Sequence, residues 1–354
     1  MSFAMADASI RESAPQGADI SLVQVRQIAG DLFEHRPGIY WFDMLLAAAI
    51  GWGGLVLAAL HPADWRIALP AVVVSGLAFL RAVLFIHEIS HFRRGVMPGF
   101  ALVWNLVVGV PMCLPSFMYC GTHTDHHKRN LYGTARDPEY LPLALLGRGR
   151  IVRFLLEMLL VPALLLVRFG LLTPLSWFIP PLRRVVIERM SALVINPAYV
   201  RRDPEGADRR NWIAMEAAIL FWIVAWAVAL WLGKAPITHL YVWYAVAVVT
   251  ALVNQFRTLT AHHYTNAGDE MSVTGQLLDS INVRGVFPLT DLAFPVGLKF
   301  HALHHLLPDM PYHGLAECHQ RLLAGLPKDS PYRAVEYPGL AERVAAIWRA
   351  AKVR

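Results

Sequence analysis

The chain has 354 residues, of which 56% are hydrophobic and only 16% are charged, and its formal net charge is +6. Soluble domains carry about 25% charged residues, so this composition excludes an ordinary soluble protein. We also expect no nucleic-acid partner, because the arginines cluster in loops between apolar stretches, as the positive-inside rule predicts for cytoplasmic loops. These arginines are Arg183, Arg184, Arg189, Arg201, Arg202, Arg209 and Arg210.

The two ends of the chain differ from its middle. Residues 1–20 are small and polar and lack the apolar core of a signal peptide, so we expect a partly disordered cytoplasmic segment over residues 1–38. The membrane domain is predicted over residues 39–325. A cytoplasmic C-terminal segment is predicted over residues 326–354.

Six apolar stretches are long enough to be tested as membrane spans, which need about 20 residues. In chain order they cover about 40–60, 67–86, 99–119, 151–180, 213–233 and 238–258. The stretch 99–119 contains Pro111 and Pro115, which break helices easily. The stretch 151–180 contains prolines together with Glu157 and Arg168, and charges are costly in mid-membrane. We therefore predict that these two stretches are interfacial or re-entrant.

The remaining four stretches predict an all-α integral membrane fold with four transmembrane helices arranged as two hairpins. In this topology the arginine-rich loop 181–210 stays on the cytoplasmic side, in agreement with the charge rule. Every histidine cluster then faces the same side and forms a cytoplasmic cap. The chain is accordingly predicted to be a multi-pass membrane protein whose active site faces the cytoplasm.

Three histidine clusters, called boxes below, carry the chemistry. The first box has the sequence HEISH, the second HTDHH and the third HALHH. Residues three and four apart share a helical face, so each box can present its imidazoles together. The box histidines are His87 and His91, then His123, His126 and His127, then His301, His304 and His305.

The number of imidazoles indicates a pair of metal ions. Either His262 or His263 adds a ninth donor, and eight or nine nitrogen donors exceed what one four-coordinate ion accepts. Imidazole suits iron, zinc, copper and nickel, so spacing alone leaves the element open. Ligating histidines usually donate their other N–H to a carboxylate. The nearby acids that we predict for this role are Glu88, Asp125, Asp137 and Asp291.

The first box also matches the zinc-protease pattern HExxH, in which two histidines hold zinc and the glutamate is the base. An intramembrane zinc protease is therefore an alternative. It is disfavoured because such an enzyme needs only one further ligand, often from an Asp-Gly pair, which this chain lacks. It would also leave the second and third boxes without a role.

The three boxes, with RTLTAHHYTN ahead of the third, resemble the membrane fatty acid desaturase family. The stretch QLLDSINVRGVFPLTDLAFPVGLKFHALHHLLPDMPYHGL resembles the region around the last box in bacterial members. The resemblance covers about residues 40–325. It implies that the eight box histidines are iron ligands and that the histidine preceding the third box is His262.

The resemblance also implies an activity. Two iron ions would use dioxygen as co-substrate to desaturate a long-chain fatty-acyl lipid. The sequence has no HPGG haem motif, so electrons are expected from a separate carrier such as ferredoxin or a cytochrome b5-like protein. Hydroxylation or ketolation of a lipid or carotenoid on the same scaffold is the alternative within this class, and a non-catalytic metal-dependent scaffold is the alternative outside it.

Overall fold

The computed structural model describes residues 19–93 and 95–351 and is predominantly helical. Residues 1–18 of the predicted N-terminal segment lie outside these residues, and its described part contains the helix Leu22–Ala29 and the 3-10 turn Gly30–Phe33. The α-helices are Leu22–Ala29, Pro37–Leu60, Trp65–His91, Phe100–Trp104, Thr122–His126, Arg148–Leu156, Val161–Val167, Thr173–Phe178, Pro180–Met190, Gly206–Trp231, Thr238–Leu259, Val273–Asp279, Leu289–Ala293, His301–Leu306, Leu315–Gly325 and Leu340–Ala350. The strands Asn282–Val283 and Glu336–Tyr337 pair in parallel.

Within residues 19–93 and 95–351, five helical segments are long and apolar enough to cross a membrane. Four of them match the predicted spans, and the fifth lies in the stretch predicted to be interfacial. The chain is therefore a multi-pass membrane protein, while the four-span topology stays a prediction. The five segments are Pro37–Leu60, Trp65–His91, Val161–Phe178, Gly206–Trp231 and Thr238–Leu259.

The first two apolar helices form a tight antiparallel hairpin. Pro37 begins the first helix, where its fixed φ is favourable, and Asp64 caps the second by accepting a hydrogen bond from the amide of Arg66. The hydroxyl of Ser75 donates to the carbonyl of Gly51 across the hairpin at 2.7 Å. Small residues at these positions let the helices approach closely, as is common between membrane helices.

The stretch 99–119 folds back on itself instead of forming one straight helix. The helix Phe100–Trp104 passes into a π-helical turn, Asn105–Gly109, and a 3-10 turn follows at Ser116–Met118. The side chain of Asn105 bridges the two arms by accepting from the amide of Ser116 at 2.9 Å. The indole of Trp104 donates to the carbonyl of Ala82. This broken course is what the prolines predict.

The stretch after residue 147 is also interrupted. It contains several short helical pieces, including a π-helical turn at Arg168–Leu172. Arg168 is buried and donates to Glu216 at 2.7 Å, and Arg183 donates to the other oxygen of the same carboxylate. The charge of Arg168 therefore does not mark an exposed interface; it is neutralised inside the protein.

The chain divides into two compact units. The apolar-helix unit consists of Arg36–Asp125 and Val152–Phe256. The histidine unit consists of the described residues of Met1–His35, His126–Ile151 and Arg257–Arg354. The domain boundaries predicted after residues 38 and 325 stay predictions.

The histidine unit is held together by contacts between distant parts of the chain. The strand Asn282–Val283 pairs with Glu336–Tyr337, so the C-terminal region packs within this unit. Arg343 is buried in the last helix and donates to the backbone carbonyl of His262 at 2.6 Å. The segment around His262 is thereby fixed by a residue 81 positions away in the sequence.

Candidate metal centre

Four histidines meet in the histidine unit, and we call them the histidine quartet: His126, His262, His301 and His305. One nitrogen from each lies within 4.8 Å of the others. The Nε2 atom of His301 is 3.0 Å from Nε2 of His262 and 3.1 Å from Nε2 of His305. Four converging nitrogens at this spacing match the first coordination shell of a single ion.

Asp137 orients His126. Nδ1 of His126 lies 2.9 Å from both carboxylate oxygens of Asp137, and both side chains are buried. A carboxylate only accepts, so Nδ1 carries the proton and Nε2 offers its lone pair. Burial alone would lower the pKa of His126, but the charge and hydrogen bond of Asp137, together with the charges of Glu139 and Asp279, raise this pKa.

His262 is oriented by a relay through a tyrosine. The Tyr132 hydroxyl donates to Asp279 at 2.9 Å, and its oxygen lies 2.8 Å from Nδ1 of His262. Because the hydroxyl proton goes to Asp279, the oxygen accepts from Nδ1–H of His262. Nε2 is again left as the donor atom for a metal. Tyr140 donates to the second oxygen of Asp279 at 3.1 Å and fixes the carboxylate.

Burial keeps two members of the quartet neutral. It lowers the pKa of His262 and of His305 well below the ordinary histidine value, and neighbouring imidazoles add to the shift. Metal binding requires the neutral form of histidine. Both side chains are therefore in the protonation state of a ligand at neutral pH.

A further pair lies in the same unit. Nε2 of His304 is 3.1 Å from Nε2 of His127, and the ring of His127 also stacks on that of His305 with centroids 4.4 Å apart. The third box thus divides. His301 and His305 point into the quartet, while His304 faces His127.

The other three box histidines meet in the apolar-helix unit. The ring centroid of His87 is 4.6 Å from that of His123 and 5.0 Å from that of His91. Nδ1 of His87 lies 3.3 Å from Glu88, and Glu88 accepts from the hydroxyl of Tyr40 at 2.6 Å. The hydroxyl of Tyr119 lies 2.9 Å from Nδ1 of His123.

The four predicted acidic partners have different surroundings. Glu88 and Asp137 each contact a box histidine. Asp125 instead accepts from the hydroxyl of Tyr199 at 2.8 Å, and Asp291 accepts from Lys299 at 2.7 Å. Of these four acids, we therefore propose Glu88 and Asp137 as partners of metal ligands.

This difference yields a matched test. Asp137→Asn should weaken binding of one metal ion by about 10–100-fold, the usual cost of losing the outer partner of a ligating histidine. Asp291→Asn should leave metal binding unchanged, because Asp291 contacts Lys299. Metal titration of the two purified variants measures both effects. Equal affinities in the two variants would show that Asp137 does not orient His126.

Two residues of the quartet's surroundings were not predicted. Asp279 and Tyr132 lie 147 residues apart and meet only in the folded unit. An available signal was the aspartate in QLLDSIN, which stands among apolar residues close to the third box. Spacing does not indicate Tyr132, because it stands in the polar stretch HHKRNLYGTARD, where no periodic pattern singles it out.

The nature of the donors fits a transition metal. The quartet supplies only imidazole nitrogens, which suit iron, zinc, copper or nickel and are poor ligands for magnesium or calcium. Its outer partners, Asp137 and the Tyr132–Asp279 pair, are typical of metal-binding histidines. The residues present therefore fit a metal site.

Comparison with known proteins agrees with this site. The profile of the family described as Fatty acid desaturase matches residues 63–336, a range that includes all three boxes and His262. The chain belongs to the fatty acid desaturase family. Within this family, a ceramide hydroxylase of Caulobacter vibrioides (strain NA1000 / CB15N) is 41% identical over 339 residues, which is 95% of either protein.

Family membership confirms the resemblance seen in the sequence. A member of the fatty acid desaturase family with five apolar helices is a membrane-bound oxidoreductase, and its histidine groups are compatible with a metal site. The family includes both desaturases and hydroxylases, as the name of the Caulobacter relative illustrates.

Proposed function

We propose that this protein hydroxylates the hydrocarbon of a ceramide-class lipid, using dioxygen and a pair of iron ions. The observation that carries the proposal is the 41% identity to a ceramide hydroxylase across 95% of both chains. We therefore propose hydroxylation in place of desaturation, the activity that the resemblance to the family implied. Both reactions begin with removal of hydrogen from an unactivated carbon, so the site requirements are shared.

We assign the quartet to one ion. Nine nitrogen donors exceed what one ion accepts, so we propose the other five histidines as ligands of a second ion. These five are His87, His91, His123, His127 and His304. Two iron ions bound by these residues would supply the activation of dioxygen that attack on a methylene group requires.

The protein's own task is to hold the imidazoles in one arrangement while lipid and oxygen exchange. Asp137 and the Tyr132–Asp279 pair do this for His126 and His262 by fixing the protonated ring nitrogen. Burial of these groups excludes water from the hydrogen bonds that orient the two rings. The quartet is therefore preorganised before substrate arrives.

The apolar helices support a substrate that reaches the site from the bilayer. A ceramide-class lipid has no net charge and two long hydrocarbon chains, so it partitions into the membrane that these helices occupy. We place the metal centre on the cytoplasmic side of a four-span topology, in line with the arginine-rich loop 181–210. Electrons would come from a separate carrier such as ferredoxin or a cytochrome b5-like protein.

Desaturation of a long-chain acyl group is the second candidate. It is favoured by the description of the family, Fatty acid desaturase. The two reactions differ after the first hydrogen is removed. Hydroxylation delivers one oxygen atom to that carbon and releases the other as water, whereas desaturation removes a second hydrogen from the neighbouring carbon and releases both oxygen atoms as water. Both reactions consume two electrons from the carrier and two protons.

Lipid mass spectrometry tests the proposal. The chain would be expressed in a bacterium that makes ceramides but no hydroxylated ones, and the cells grown under isotopically labelled dioxygen. We expect ceramides that gain one labelled oxygen atom. The His301→Ala variant is the matched control and should yield none.

Three results would contradict the proposal. A new double bond without added oxygen would assign desaturation instead. An unchanged ceramide profile together with altered glycerolipid acyl chains would assign a different substrate class. Unchanged lipids of every class, with the protein present and iron bound, would favour the non-catalytic scaffold.

A further inference from the structure

One arginine of the predicted cytoplasmic loop is buried. Arg201 is only 8% exposed, whereas its neighbour Arg202 is exposed. Its guanidinium donates to the hydroxyl of Thr122 at 2.6 Å and to the carbonyl of Cys120 at 2.7 Å. It also donates to the carbonyl of Ser191 at 2.9 Å. The positive-inside rule explains an exposed loop arginine but not these contacts.

Two residues of the loop 181–210 contact the chain on either side of His123, a predicted metal ligand. Arg201 holds Thr122, and Tyr199 donates from its hydroxyl to Asp125 at 2.8 Å. His123 lies between these two anchor points in the sequence. The helix that carries it, Thr122–His126, has only five residues. A single turn is not stable by itself, so the orientation of His123 depends on tertiary contacts.

A guanidinium is well suited to this position. Its planar fork serves three acceptors at once, and its face lies 4.5 Å from the ring of Trp212. Burial lowers the pKa of Arg201 to about 10, which still leaves it charged at neutral pH. An ammonium group has neither the planar fork nor the stacking face.

We propose that Tyr199 and Arg201 form a clamp that positions His123 toward its metal ion. The clamp rests on the proposed metal assignment, in which His123 belongs to the five-histidine group and not to the quartet. Its residues all lie in the apolar-helix unit, whereas the quartet lies in the histidine unit. The same helix ends at His126 of the quartet, but Asp137 holds that ring through a contact in which the clamp has no part. Loss of the clamp should therefore affect one of the two ions.

Metal binding by detergent-purified protein tests this positioning role without any substrate. Arg201→Lys and Arg201→Gln should weaken one of the two metal sites by about 10–100-fold, the range seen when a ligating histidine loses an outer partner. The other site should keep its affinity. Titration with cobalt, followed by its visible absorption, resolves the two sites.

The controls separate positioning from general stability. Arg202→Gln removes the neighbouring exposed charge and should leave both sites intact. Tyr199→Phe removes the hydroxyl contact to Asp125 while keeping the ring, and should give a smaller loss at the same site. The Tyr199→Phe variant still tests the clamp if replacement of Arg201 prevents folding.

Two results would overturn the clamp. One is wild-type affinity at both sites in the Arg201 and Tyr199 variants. The other is a parallel loss of both ions together with a lower melting temperature, which is the behaviour of a residue with a purely structural role. A wild-type protein that binds two ions but makes no hydroxylated ceramide would refute the proposed function and leave the clamp standing.

Discussion

His262→Ala is expected to remove one of two bound metal ions and to abolish lipid oxidation, whereas His263→Ala should preserve both. His262 contributes to the quartet through Nε2, which lies 3.0 Å from Nε2 of His301. The ring of His263 lies instead near that of Tyr337, with centroids 6.0 Å apart. The two substitutions remove the same side chain from adjacent positions and are therefore a matched pair.

Iron analysis and lipid profiling of the two variants measure the effect. Loss of a direct ligand should cost at least about 100-fold in affinity for one ion, the upper end of the range for losing only an outer partner. The reverse result, with His263→Ala inactive and His262→Ala active, would mean that the ninth ligand is His263. Full activity in both variants would mean that neither His262 nor His263 is a metal ligand.

Glu216→Gln is expected to destabilise the apolar-helix unit by about 3–5 kcal/mol, the cost of breaking a buried ion pair. Glu216 is fully buried and accepts hydrogen bonds from both Arg168 and Arg183. The amide that replaces it carries no charge, so the buried guanidinium of Arg168 would lose its counter-ion. Thermal unfolding of the detergent-purified protein measures the loss.

Glu188→Gln is the matched control for this prediction. Glu188 pairs with Arg184 four residues earlier, and the Arg184 side chain is 78% exposed. Exposed pairs of this kind contribute little to stability. Equal melting temperatures for the two variants would mean that the triad of Arg168, Arg183 and Glu216 adds nothing to the stability of the fold.

The alternative of a zinc protease makes a different prediction about the first box. In such an enzyme Glu88 would be a base facing a metal-bound water. Here Glu88 accepts from the hydroxyl of Tyr40 and lies 3.3 Å from Nδ1 of His87. It is therefore placed to orient His87. A single zinc and no iron in the purified chain would nevertheless favour the protease.

Several features could be predicted from the sequence because they depend on local patterns. The apolar stretches near residues 50, 77, 223 and 248 are long enough to be spans whatever surrounds them, and the structure has a helix at each. The prolines in 99–119 break helices by removing backbone donors, and this stretch is interrupted. The stretch 151–180, predicted to be interfacial, contains Val161–Phe178, which is long and apolar enough to cross a membrane, so its interfacial course stays a prediction. The box spacing alone indicated metal chemistry, and the family match agrees.

The partners of each histidine were decided by the tertiary structure. Helical spacing puts the histidines of a box near one another, but it does not say that His301 and His305 join His126 while His304 faces His127. That division depends on how the second box, His262 and the third box pack within the histidine unit. The same is true of Asp279 with Tyr132 and of Arg201 with Thr122, which are contacts between residues at least 79 positions apart. A sequence pattern shows which residues share a face of one helix. It does not show which distant side chains will form hydrogen bonds with each other, because buried polar groups bond to partners that only the folded chain brings close.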